Sequence, residues 1–118
     1  MAPKQKWGVD FFEEEDGSQP VKKYILDGHS EKDIAVIMNV LVSLQNLGPD
    51  IQGTDMDDRI DGHIRELRKG RHRILYAQVG NSFVLLTAFI KKTQKTPIEQ
   101  IELAKKRLKI YQHKHPGR

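Results

Sequence analysis

Apolar residues recur along this chain at two periods, and the changes between them divide it into elements. Residues 7–12, WGVDFF, alternate weakly and are rich in aromatics, which predicts a first strand ahead of an acidic EEEDGS turn. Pro20 opens a short helix, VKKYILD, that Gly28 stops. Ser30, followed by Glu31 and Asp33, reads as a second N-cap. Ile34, Ile37, Leu41 and Leu44 then recur at helical spacing until Leu47, Gly48 and Pro49 end the run. Met38, Val40, Val42 and Leu47 widen the apolar arc, as expected of a helix that packs across a sheet, and such a stripe predicts core rather than a binding groove. Residues 50–62 carry Asp55, Asp57, Asp58 and Asp61 but lack the glycine and terminal glutamate spacing of a calcium loop, so they read as a polar loop leading into a strand.

From residue 63 the period is two. HIRELRK, RHRILYAQV and SFVLLTAFIKK read as three strands joined by tight turns at Lys69-Gly70 and Gly80-Asn81. Alternation puts Ile64, Glu66 and Arg68 on one face of the first, and Arg71 and Arg73 on one face of the next. Guanidinium groups then crowd one end of a sheet, either as decoration of a solvated face or as an anion site. Thr96, Pro97 and Glu99 read as the N-cap, first-turn proline and reciprocal acid of a capping box. They open a last helix with Ile98, Ile101, Ala104 and Leu108 on its core face and Tyr111 near its end. Leu103 and Ile110 fall elsewhere and make a small apolar strip beside Arg107, either ordinary exposed side chains or part of a partner contact. Residues 113–118 read as a flexible tail whose two histidines could bind adventitious metal.

At 118 residues the chain is long enough for one domain with a modest core. The absence of cysteine excludes a disulfide framework and a thiolate zinc site, and suits a reducing cytoplasm. With no continuous apolar run expected to span a membrane and no apolar signal segment before the first charges, a soluble cytoplasmic protein is expected. The net charge of +4 hides a division: residues 1–61 carry 6 Lys+Arg against 13 Asp+Glu, whereas residues 62–118 carry 14 against 3. A basic half folded back on an acidic one points to a polyanion, nucleic acid first, although an acidic ligand or protein would explain the charge equally well.

The stretch 89–109, FIKKTQKTPIEQIELAKKRLK, sets Lys91, Lys92 and Lys95 between the last apolar residue of a strand and a helix N-terminus. The free N–H groups and dipole of that terminus favour an anion, and the alternative is that the lysines are simply solvated. No P-loop, dinucleotide glycine fingerprint, nucleophile elbow or H-E-x-x-H helix is present, so nucleotide and metal cofactors lack support. His63 and His72 lie on predicted strands near arginines, where positive neighbours disfavour protonation.

The segments WGVDFFEEEDGSQPVKKYI, LQNLGPDIQG, IRELRKGRHRILYAQVGNSFVLLTAFIKKTQKTP and IEQIELAKKRLKIY together resemble the RelE/ParE toxin superfamily, in its phage-derived HigB-like branch. The resemblance implies a small α+β fold, with an N-terminal strand and two helices packed on a twisted antiparallel sheet and a C-terminal helix at its edge. It also implies a toxin that enters the ribosomal A site and cuts mRNA there, neutralised by a cognate helix-turn-helix antitoxin. On this resemblance Arg68 in ELR, Arg73 in RILY and Lys92 are candidate catalytic cations. The family pattern assigns no uniform acid–base pair, and Tyr111, Glu66 and His72 are each candidates for proton transfer by their chemistry alone. Arg65, Arg71, Lys91 and Lys95 are candidate RNA contacts, and Leu103, Arg107 and Ile110 a candidate antitoxin contact. The sequence departs from the family pattern at Arg65, where an aromatic is expected before ELR, and at His72, where tyrosine is common. Both changes weaken any role for base stacking and leave phosphate contacts intact. The implied reaction is metal-independent attack of a ribose 2′-hydroxyl on the neighbouring phosphorus. Two rival functions remain open, a ParE-like gyrase-binding toxin and a non-enzymatic basic nucleic-acid-binding module.

Overall fold

The computed structural model describes residues 6–117. Residues 1–5, where no signal segment was expected, and Arg118 at the end of the expected tail lie outside the described residues.

The chain forms β1 (Gly8–Phe11), α1 (Pro20–Leu26), α2 (Glu31–Leu47), a 3-10 turn (Gly48–Ile51), β2 (Asp57–Asp61), β3 (Ile64–Lys69), β4 (His72–Val79), β5 (Ser82–Ile90) and α3 (Ile98–Lys114). The strands make one sheet in the order β1-β5-β4-β3-β2. All pairs are antiparallel except β1 with β5, so the α+β architecture expected from the sequence is the one observed. The caps explain where α2 begins and ends. Ser30, with extended backbone, accepts the Asp33 N–H on its hydroxyl at 3.1 Å, and Glu31 and Asp33 complement the helix dipole.

Side-chain alternation splits the core into two layers. Leu67, Ile74, Tyr76, Phe83 and Leu85 face α1 and α2, meeting Val21, Ile25, Ile37 and Leu44. Ile64, Leu75, Ala77, Val84 and Leu86 face the other way, onto Ala104, Leu108 and Tyr111 of α3. The C-terminal helix therefore crosses the opposite face of the sheet, over β4 and β5, instead of lying along an edge. Its first turn precedes the contact with the sheet, which is why Ile98, expected in the core, is 72% exposed. At its other end α3 runs on through Lys114 before the tail begins.

Residues 31–51 are long and apolar enough to cross a membrane by length and composition, which amends the expectation that no such run exists. Here Ile37, Val40, Leu41 and Leu44 are buried against the sheet, the use a core helix makes of the same composition.

Three further expectations change. Residues 57–61 are an edge strand, not a loop. Aspartate is a poor strand former, but Asp57 pairs with Arg65, Asp58 with Arg68 and Asp61 with Lys105, so side-chain pairing holds an acidic segment in the sheet. The capping box at α3 is not made. Pro97 occupies the N-cap position, no side chain caps the helix, and the Thr96 hydroxyl donates instead to Glu66 Oε2 at 2.7 Å. Arg107 turns inward. A register shift leaves Leu86 as an extra residue opposite β4, and Arg107 Nη1 donates to the Leu86 carbonyl at 2.8 Å while Nη2 reaches Glu14 at 3.2 Å. Its guanidinium carbon also sits 5.4 Å from the Phe12 ring centroid.

Gly48 offers a direct test of this packing. Its φ of +55° is left-handed, and a Cβ there would fall 2.3 Å from Trp7 Nε1. Gly48→Ala must both strain the turn and push the indole away. It is expected to cost about 2–4 kcal/mol by urea denaturation, and an unchanged midpoint would refute the contact.

Candidate functional site: a cationic notch at the end of the sheet

Glu66 organises the site. It lies mid-strand in β3, only 3% exposed, where Arg68 and Arg73 are direct cross-strand partners on β3 and β4. Arg68 Nε donates to Glu66 Oε1 at 3.0 Å, Arg73 Nε lies 3.5 Å from the same oxygen, and Thr96 occupies Oε2. A buried carboxylate must be neutralised by close partners, and this one uses three. Its bond to Thr96 pins the loop between β5 and α3 against the sheet.

That loop carries the lysines. Lys91, Lys92 and Lys95 are exposed, and Thr93 donates to the Lys95 carbonyl at 2.9 Å, which curls the segment. The notch under it is lined by Glu66, Arg73, Phe89, Lys92, Lys95 and Thr96. With a cavity volume of about 10 Å³ it has room for roughly a single oxygen-sized group. On the other side of the loop an open groove of about 560 Å³ runs between Arg71, Ile90, Lys91 and Gln94, the scale of a nucleotide. Arg71 and Lys91 are brought together because the Lys91 N–H donates to the Arg71 carbonyl at 2.7 Å. Among the described residues no ion pair engages Arg71, Lys91, Lys92 or Lys95.

The other candidates stand differently. Arg73 is 8% exposed and also donates through Nη1 to the Gly70 and His72 carbonyls at 2.8 and 2.9 Å. Burial lowers its proton affinity, against the opposing pull of Glu66. It is part of the packed floor, not of the open polar face on which alternation placed it. Arg68 is held between Glu66 and Asp58, and Glu66 first among them raises its pKa. Arg65 is committed to Asp57, whose carboxylate is fully buried and also accepts the Tyr76 hydroxyl. Burial and the Asp57 carboxylate both push the Tyr76 pKa up. Tyr111 lies on the α3 side of the sheet, buried, with its hydroxyl 2.9 Å from Asp10 and away from the notch. Leu103 and Ile110 are half-buried, and Ile110 packs onto the second core layer. His72 points toward α1, where its Nδ1 meets the Tyr24 hydroxyl at 3.0 Å; burial, then His29, lowers its pKa.

The lysines are brought together around the notch as their spacing in the sequence predicts, whereas the tie between Glu66 and Thr96 was not predicted. Its one signal was a glutamate on an inward position of a strand otherwise flanked by arginines. Chemically, the notch offers converging positive charge and N–H donors at the end of a rigid sheet, an arrangement that stabilises an anion or a developing oxyanion.

A search of curated proteins returns no match. The model of the family described as phage derived protein Gp49-like (DUF891) matches residues 25–109, a span from the end of α1 into α3 that contains the notch and every cation around it. That family stands in the context of the RelE/HigB-like toxins and is compatible with the toxin of a toxin–antitoxin pair. With its sheet, its lysine loop and most of its length inside the matched region, the chain belongs to the phage-derived Gp49-like family.

Proposed function

We propose that this protein is the toxin of a type II toxin–antitoxin system, of the HigB-like branch, and that it cleaves mRNA in the ribosomal A site. The observation that carries the reading is the gathering of four cations without ion-pair partners among the described residues, Arg71, Lys91, Lys92 and Lys95, beside a notch floored by Arg73. In the reaction the ribose 2′-oxygen attacks the adjacent phosphorus and the bond from phosphorus to the 5′-oxygen breaks. The 2′-hydroxyl proton leaves, a proton enters the departing 5′-oxygen, and the products are a 2′,3′-cyclic phosphate and a 5′-hydroxyl end. Lys92 and Arg73 stabilise charge on the pentacovalent phosphorus, each good donor being worth on the order of 10²–10³ in rate. Arg68 holds Glu66 and so the lysine loop. Arg71, Lys91 and Lys95 hold the RNA backbone in the groove. Tyr111, engaged with Asp10 toward the far end of α3 from the notch, takes no step in this scheme.

A cognate helix-turn-helix antitoxin would neutralise the protein by covering the cationic end or by making it too bulky for the ribosome. Leu103, beside the inward-turned Arg107 and Ile110, is the apolar position offered to it.

Induced expression followed by mapping of mRNA 5′ ends tests the reading, because cuts inside translated codons are left by neither a gyrase poison nor a simple nucleic-acid binder. The notch presents no free imidazole or carboxylate to move protons, so purified protein is expected to cut naked mRNA at least about 10²-fold more slowly than ribosome-bound mRNA. Equal rates would place the whole of the chemistry in this chain and overturn ribosome dependence.

A further inference from the structure

The face of β4 opposite the notch carries a cluster that the nuclease scheme does not use. His29 follows Gly28 in the turn between α1 and α2, Asp33 lies in the first turn of α2, and His72 opens β4. One donor atom from each of these side chains lies within 4.8 Å of the others. The His29 and His72 rings meet edge to face with centroids 4.9 Å apart. Tyr24 closes the cluster from α1, its hydroxyl on His72 Nδ1 at 3.0 Å.

We propose that His29, Asp33 and His72 form a binding site for one divalent transition-metal ion of borderline softness, for which zinc is the natural probe. Two imidazoles and one carboxylate are a donor set that such ions accept, with a fourth position open to water. Metal–ligand bonds of about 2.0–2.2 Å put neighbouring donors about 3.4 Å apart in a tetrahedron, so with every donor pair within 4.8 Å no pair needs a movement of more than about 1.4 Å to close. Asp33 is exposed and His29 only half-buried, so both have freedom to make it. His72 is already oriented. With Nδ1 on the Tyr24 hydroxyl, its Nε2 is left for the metal, and the tyrosine takes the supporting position that ligating histidines commonly use.

The three donors come from separate segments, so a bound ion would tie the α1–α2 turn to the start of β4. That strand end also supports the notch, because Arg73 Nη1 donates to the His72 carbonyl. The ion would brace the scaffold behind the cationic site without touching RNA.

Untagged full-length protein, stripped with chelator, would be titrated with Zn²⁺ by calorimetry, and with Co²⁺ by its visible d–d absorption. We expect one site per chain and a rise in Tm of about 5–10 °C at zinc roughly a hundredfold above Kd. His29→Gln and Asp33→Asn, both at accessible positions, should each weaken binding at least tenfold. A His113→Gln, His115→Gln double variant, which removes the histidines at the C-terminal end, should bind as the parent does. Absence of binding in the parent overturns the proposal, as does binding that survives both His29→Gln and Asp33→Asn. Binding lost in the His113, His115 variant would assign the metal to the C-terminal end instead.

Discussion

Alanine at both Lys91 and Lys92 is expected to abolish growth inhibition while leaving the thermal midpoint unchanged. Both side chains are exposed and unpaired among the described residues, so their removal breaks no packing and orphans no carboxylate. Surface changes of this kind stay within about 0.5 kcal/mol of the parent in stability. Loss of one donor to a developing phosphorane charge costs on the order of 10²–10³ in rate, and loss of a second cation in the groove weakens RNA binding as well. Plating after induction and mapping of 5′ ends would show survival with few cuts. A folded double variant as toxic as the parent would place the anion site elsewhere. Arg73→Ala is a poorer probe, because that guanidinium also carries two carbonyls and faces Glu66, so lost activity could not be separated from lost structure.

The largest effect on stability is expected at Asp57, which no functional argument singles out. Its carboxylate has no exposed surface and receives Arg65 through both Nε and Nη2 together with the Tyr76 hydroxyl. Asp57→Ala leaves a guanidinium that is only 21% exposed without its counterion, and a buried phenol without its acceptor. Breaking one side of a buried pair costs about 3–5 kcal/mol, which for a domain of this size lowers Tm by roughly 10–20 °C. Tyr76→Phe should lose only about 1–2 kcal/mol, since Asp57 keeps Arg65. Calorimetric melting of both variants checks the order. A smaller loss for Asp57→Ala than for Tyr76→Phe would mean that Arg65 finds water or another acceptor.

These two sites show what the sequence could and could not disclose. Helix α2 was legible because its period, its serine cap and its glycine stop all agree, and β3 to β5 because each alternates between sharp turns. Strand β2 was not. The preferences of DDRID oppose a strand, and the arginines, lysine and tyrosine that hold it there arrive from other elements. The lysines of the notch were legible for the converse reason, since they are neighbours in the chain. The tie between Glu66 and Thr96, thirty residues apart, is a product of the fold, and it drew the threonine away from the helix cap that its local sequence predicts. Arg65 and Arg68 look like free cations in the sequence because Asp57 and Asp58, their carboxylate partners on β2, lie in a segment whose local preferences predict a loop.

The parallel pairing of β1 with β5 has a consequence in time. Gly8 to Phe11 find their places beside Ser82 to Leu85, across most of the chain. At synthesis rates of roughly 5–20 residues per second, the first strand waits about 4–15 s for its partner to be made. Until then Val9 and Phe11 have no sheet to join, and the lysine loop that follows β5 has yet to be synthesised. A chain still being translated therefore cannot hold the cationic notch in shape. Slow pairing across such a span also leaves the β5 edge, with Phe83 and Leu85, as the sticky surface of any chain whose β1 has not yet paired or has been removed.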